Sequence, residues 1–210
     1  MNLTQGVAVR VSALCLNTSG RLPDRLLSSD AVRAGLLVDL ALAGRMTTTE
    51  DSVVIDETPT GFAPADRLLA AMAAESERSL DEWLAERRIG LRDVVTANLT
   101  AGRWQRTSGL LGLRVSYTDG HRDQTHRDLS RSMSDWPEDA SPADACVTAL
   151  AAAAGLLDRG TGLPRTPPPA VLAATGPAQW LCPTAVEHLL QAHALYRGQA
   201  DALGHPGPGF

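Results

Sequence analysis

Lysine is absent from this chain: all 19 basic residues are arginine. A GC-rich genome accounts for the absence, yet it leaves every cation a planar fork suited to phosphate or carboxylate. Aromatic residues make up only 4% of the sequence. No apolar run reaches the roughly 18–20 residues that a membrane span needs. Residues 1–12 show no cationic start followed by an apolar core, so no signal peptide is expected. Cys15, Cys146 and Cys182 are odd in number and far apart, which suits buried thiols in a reducing, cytoplasmic setting. There is no G-x-S-x-G, no Walker loop, no dinucleotide fingerprint and no tight carboxylate pair for acid–base work. No enzyme and no cofactor are expected. His188 and His193 stand five apart on a helix and point in different directions, so no metal site is expected either. His121-Arg122-Asp123 matches part of a kinase catalytic loop, but nothing else of that machinery accompanies it.

What the chain does have is enough length and apolar content for a well-filled core: 210 residues, 44% of them hydrophobic. The stretch 28–56 organises the rest. Its first half reads as a helix over residues 30–43, with Ser28 or Ser29 as cap, Asp30 in the first turn and Gly44 as a left-handed stop. Val32, Leu36, Leu37, Val38, Leu40 and Leu42 lie on nearly every side, so this helix is expected to be buried. Its second half alternates around Glu50-Asp51 and predicts a hairpin pairing residues 46–49 with 52–56. The unit is echoed later. Ala43-Gly44-Arg45-Met46 returns as Ala101-Gly102-Arg103-Trp104, and a second hairpin is expected to pair 103–106 with 111–117, turning at Ser108-Gly109.

Residues 6–16 read as a helix or a buried strand. Helices are expected over 67–74 (capped by Asp66), 80–88 (capped by Ser79) and 91–101, after a break at Gly90. Trp83 is expected in the core and Trp104 half-buried. Residues 119–139 are polar and read as irregular. Ser141 caps an alanine-rich helix with Pro142 at its first position, and Thr184 caps a last helix. The expected fold class is mainly α: a single helical domain over 1–203 around a buried central helix, with short β-hairpins following two glycine-terminated helices. Residues 160–180 form a Pro/Gly-rich linker within it, and 204–210 a disordered tail.

The run LLVDLALAGRM, Pro59-Thr60-Gly61, Leu68-Leu69, Trp83 between Glu82 and Leu84, and the helix end at Gly102 come in a recognisable order. Over residues 14–157 the chain resembles the Golgi phosphoprotein 3 family, its bacterial members in particular. The resemblance implies a mostly helical domain with short hairpins. It also implies a peripheral protein at the inner face of a membrane. Such a protein binds phosphatidylinositol 4-phosphate, or an anionic phospholipid head group of similar shape, and contacts membrane enzymes or their tails. The family's lipid site resembles a phosphate cage of one tryptophan and several arginines. Its arginine in the first turns of the buried helix matches Arg33. Its tryptophan falls near Asp24, so the aromatic wall is missing. A further pair of arginines, three apart, falls on Arg88 and Leu91 or, one residue on, on Ile89 and Arg92. Arg33, Arg88 and Arg92 are therefore the candidate phosphate-binding residues.

Helix physics offers a separate reason for Arg33. Early in its helix, a cation faces the positive end of the macrodipole at a cost of up to ~1 kcal/mol, which a bound anion would reverse. Helix amides and an arginine fork together suit phosphate. The alternative is an ion pair to Asp30 or Asp24 with no ligand. Arg88 and Arg92 share a face at helical spacing, with a solvated surface as the alternative. The net charge of −5 means that binding to an anionic membrane must be local. A hairpin tip or the extra residues around Phe62 would add apolar contact. The first hairpin is also a candidate oligomer contact. Two rival functions stand beside this one. One is a protein-interaction scaffold without a lipid site. The other is a winged-helix regulator, against which the charge and the lack of a basic recognition helix weigh, so no nucleic acid is expected.

Overall fold

The computed structural model describes residues 2–22, 25–49, 52–109, 114–137, 140–157 and 163–202. The expected tail at 204–210, the turn at Glu50-Asp51, and Asp24 lie outside them. The fold is mainly α, with nine helices among the described residues: α1 Val7–Leu14, α2 Arg25–Leu42, α3 Ala63–Ala74, α4 Leu80–Ala85, α5 Leu91–Thr100, α6 Arg122–Ser134, α7 Pro142–Ala153, α8 Pro169–Ala173 and α9 Cys182–Ala202. Two antiparallel hairpins complete it, β1 Met46–Thr48 with β2 Val53–Ile55, and β3 Trp104–Ser108 with β4 Val115–Asp119. No helix among the described residues is long and apolar enough to cross a membrane.

Helix α2 is the centre. Every residue from position 31 to 40 is buried, and the helix touches α1, α3, α4, α5, α7 and α9. Apolar side chains on all its faces leave it no stable place except inside. It begins at Arg25, earlier than expected, so Ser28 and Ser29 lie in its first turns and cap nothing. It ends as expected at Gly44, whose φ of 67° is open to glycine at little cost. The Arg45 N–H reaches back to the Leu40 carbonyl at 2.9 Å, and at Gly102 the Arg103 N–H does the same to Asn98 at 2.9 Å. These are the paired closing bonds of a left-handed helix stop. The echo extends to the ion pairs that follow, Arg45 with Asp56 and Arg103 with Asp119.

Several elements differ from expectation. The region 119–139 contains helix α6, whose apolar anchors are only Leu129 and Met133, one turn apart and both buried. So sparse a pattern becomes helical through its packing on α1 and α7. The second hairpin pairs Ser108 with Val115 and Trp104 with Asp119, so its loop is longer than a turn at Ser108-Gly109. Trp104 is 2% exposed, and its indole N–H donates to Asp119 at 2.9 Å. Helix α3 starts at Ala63; Asp66 lies in its first turn, and its carboxylate accepts from the Thr60 N–H and hydroxyl. Within the expected linker, α8 and a 3-10 turn at Gly176–Ala178 pack on α7. Helix α9 starts at Cys182, which places Thr184 inside it.

Helix α1 has Gly6 at its N-cap position, with no side chain to cap it. The cap comes from α2: Asp39, fully buried, accepts the N–H groups of Val7 at 2.7 Å and Ala8 at 3.0 Å. Burial pushes the Asp39 carboxyl up to about 7, against the two N–H donors and Arg10, which favour the ionised form. Between about pH 4 and 7 the folded chain therefore holds a proton that the unfolded chain has released. The contribution of Asp39 to stability falls as pH rises through that window and is level above it, by a few kcal/mol at most. Urea denaturation at about pH 5 and pH 8 measures this. The native chain should lose more stability between the two than Asp39→Asn does.

Candidate functional site

The candidate arginines come from α2, the segment 86–90 and α5; Arg88 and Arg92 border one cavity, and Arg33 is not part of its described lining. Helix α4 stops at Ala85 because Glu86 adopts extended backbone, with φ −64° and ψ 137°. Arg88 therefore sits in a loop, and no shared helix face relates it to Arg92. Glu86 organises the loop. Its carboxylate accepts the backbone N–H groups of Arg87 at 2.7 Å and Arg88 at 2.8 Å, and pairs with the guanidiniums of Arg78 and Arg88. The Arg88 hydrogen bond, with Arg78 behind it, holds the Glu86 carboxyl far below the usual carboxylate range. Arg88 also pairs with Glu75 at 2.9 Å, and the two carboxylates push its guanidinium above its ordinary value. Arg88 is thus exposed but already matched by anions.

Arg33 lies inside the protein with no exposed surface. Its Nη1 donates to the Leu84 carbonyl at 2.8 Å and to Asp30 Oδ1 at 3.1 Å, its Nε to the Ile89 carbonyl at 3.2 Å, and its Nη2 to the Ser29 hydroxyl at 3.3 Å. Burial lowers the guanidinium's pKa, and Asp30 offsets part of that. The ion pair to Asp30, rather than a fork open to an anion, is what the fold contains. The macrodipole argument also leaves Arg33, because the helix begins at Arg25 and the effect fades beyond the first turn. What Arg33 holds is the loop that carries Arg87 and Arg88.

The macrodipole argument passes to Arg92. It occupies the first turn of α5, directly after Leu91, and is exposed. Two cavities meet at it, sharing Ser29, Leu91 and Arg92. The first, about 820 Å³, is bordered by Arg67, Arg87, Arg88 and Asp93, and by Phe62. Phe62 is only 5% exposed and precedes α3, so it is no free membrane anchor. Arg67 pairs with Asp93. The second cavity, about 700 Å³, is bordered by Arg21, Leu22, Arg114 and Tyr117, and no carboxylate is among its described lining. Arg21, Arg114 and Tyr117 were not expected from sequence. They come from a turn and a strand that only the tertiary fold brings to α5.

The geometry is that of an arginine-lined surface around one helix N-terminus. A comparison with curated proteins gives no match. The profile of Golgi phosphoprotein 3 (GPP34) matches residues 13–166, which is most of the chain, and the protein belongs to that family.

Proposed function

We propose that the protein is a peripheral binder of anionic phospholipid head groups, with Arg92 at the centre of its site. The observation that carries this reading is the position of Arg92. It is the one family-implied arginine that is both exposed and unmatched by any carboxylate among the described residues. It stands at a helix N-terminus, between two arginine-lined cavities. Membership of a family with lipid-binding members supports the same reading. Arg33 serves it indirectly by fixing residues 86–90, and Arg88 by completing the rim. A phosphatidylinositol 4-phosphate-like ligand and an inner-face location fit that chemistry, and no catalytic step is assigned to the site.

Vesicle flotation tests it. The native chain should float with vesicles containing anionic lipid and not with phosphatidylcholine alone. Arg92→Ala should weaken binding by roughly 1–3 kcal/mol, the scale of a lost charged hydrogen bond, and Arg88→Ala by less. No flotation of the native chain with any anionic lipid would end the reading. A second reading, a contact surface for a second copy or for membrane enzymes, has its own observation. Val53 and Val54 on β2 are 38% and 46% exposed, on a sheet of only two strands.

A further inference from the structure

Helix α9 has two working faces. Ala185, Val186, Leu189 and His193 are buried against the body of the protein. His188, Gln191, Ala192 and Leu195 form the neighbouring stripe, at the i, i+3, i+4 and i+7 spacing of one helix side, and all four line a separate cavity of about 290 Å³. Across it stand Asp30 from the start of α2, Ala85 at the end of α4, and Arg87 just beyond. The Tyr196 hydroxyl donates to Asp30 Oδ2 at 3.3 Å and ties α9 to α2 beside the cavity. Leu195 is largely exposed, and so is Leu26, which precedes Asp30 by one helical turn on α2. These are two of the four large apolar side chains exposed among the described residues, and the other two are on the first hairpin.

We propose that this cavity is a docking site for an acidic, amphipathic helix of a partner protein, which seats its leucine side on Ala192 and Leu195 and sets a carboxylate on Arg87. Size argues for anchoring side chains over a whole ligand, because small-molecule sites run from roughly 300 to 1,000 Å³ and this cavity lies just under that range. The stripe along α9 has the spacing with which one amphipathic helix receives another. Charge selects the acidic partner. Asp30 is the only carboxylate in the described lining, and it is already matched by Arg33 and Tyr196. Arg87 is exposed and pairs with no carboxylate among the described residues, so the charge left over is positive. His188 Nε2 is buried and has no hydrogen-bond partner among the described residues. A polar group of a seated segment would satisfy it. Arg87 also borders the first arginine-lined cavity, but Ala192 and Leu195 border neither of those two, so this surface is separable from the head-group site.

Fluorescence anisotropy tests this with the full chain and two labelled synthetic helices. Both carry the same leucine stripe; one is flanked by glutamates and the other by lysines. The glutamate helix should bind roughly tenfold tighter or more. Leu195→Ser should weaken its binding roughly tenfold, the scale of one buried leucine. Arg87→Glu should reverse the preference in favour of the lysine helix. Both positions are exposed, so melting of the two variants should match native. No binding of the glutamate helix, equal binding of the two helices, or a preference unaltered in Arg87→Glu overturns the proposal, and so does unaltered affinity in Leu195→Ser. Two parallel measurements with Leu195→Ser assign the face elsewhere if they respond. A native dimer that becomes a monomer in sedimentation gives the face to a second copy. Lost flotation with anionic vesicles gives it to the membrane. Either result overturns the proposal, whereas a monomeric native chain and unchanged flotation support it.

Discussion

Arg33→Ala should destabilise the fold by about 3–5 kcal/mol, the usual result of removing one partner from a buried ion pair. The substitution takes the guanidinium from the buried Asp30 carboxyl, to which the Tyr196 hydroxyl still donates at 3.3 Å, and takes the donor from the carbonyls of Leu84 and Ile89. Each orphaned group adds the cost of a buried, unsatisfied polar atom. Against a total stability of roughly 5–15 kcal/mol, this is a large fraction. For a chain of this size the melting temperature should fall by roughly 6–20 °C. Arg33→Lys should recover only part of it, because one ammonium cannot span two carbonyls and a carboxylate as a fork does. Arg88→Ala, which removes an exposed guanidinium from its ion pairs with Glu75 and Glu86, should move stability by about 1 kcal/mol. A melt of Arg33→Ala within a degree or two of native would show that the loop is held by something else. Lipid binding by Arg33→Ala is therefore readable only where the variant is shown to be folded. The cleaner probe of the site is Arg92.

Leu40→Ala should cost about 2–5 kcal/mol. Leu40 has no exposed surface and lies on the most surrounded helix of the fold, so the truncated side chain leaves a void that neighbours on several helices cannot jointly fill. Leu195→Ala is the control: at 67% exposure, that leucine should contribute within about half a kcal/mol. Urea denaturation of the two variants side by side measures both. Equal, small losses would place α2 at a surface and contradict the packing described above.

The outline of the fold was legible because its signals are local. Glycine stops at Gly44 and Gly102, the Ser79 and Ser141 caps, and the all-round apolar face of α2 each act within a few residues. Helix α6 was not legible. Leu129 and Met133 alone do not define a stripe, and the partners that make it helical are α1 and α7, distant in sequence. The end of α4 was missed for a similar reason: residues 86–88 have good helix formers, but Glu86 gains more by turning back onto two N–H groups and two guanidiniums.

The sequence by itself determined a mainly helical domain, its central helix, its two Gly-Arg hairpin units and its family, because periodicity, caps and motif order are properties of neighbouring residues. Which arginine faces a ligand was decided only by the tertiary structure. Arg33, Arg88 and Arg92 look alike as letters, and their separate fates depend on distant atoms. The carbonyls of Leu84 and Ile89 draw Arg33 inside, the carboxylates of Glu75 and Glu86 neutralise Arg88, and Arg92 is left open beside Arg21 and Arg114. A guanidinium takes the partners that satisfy its five donors at least cost in desolvation, and those partners exist only once the chain has folded around it.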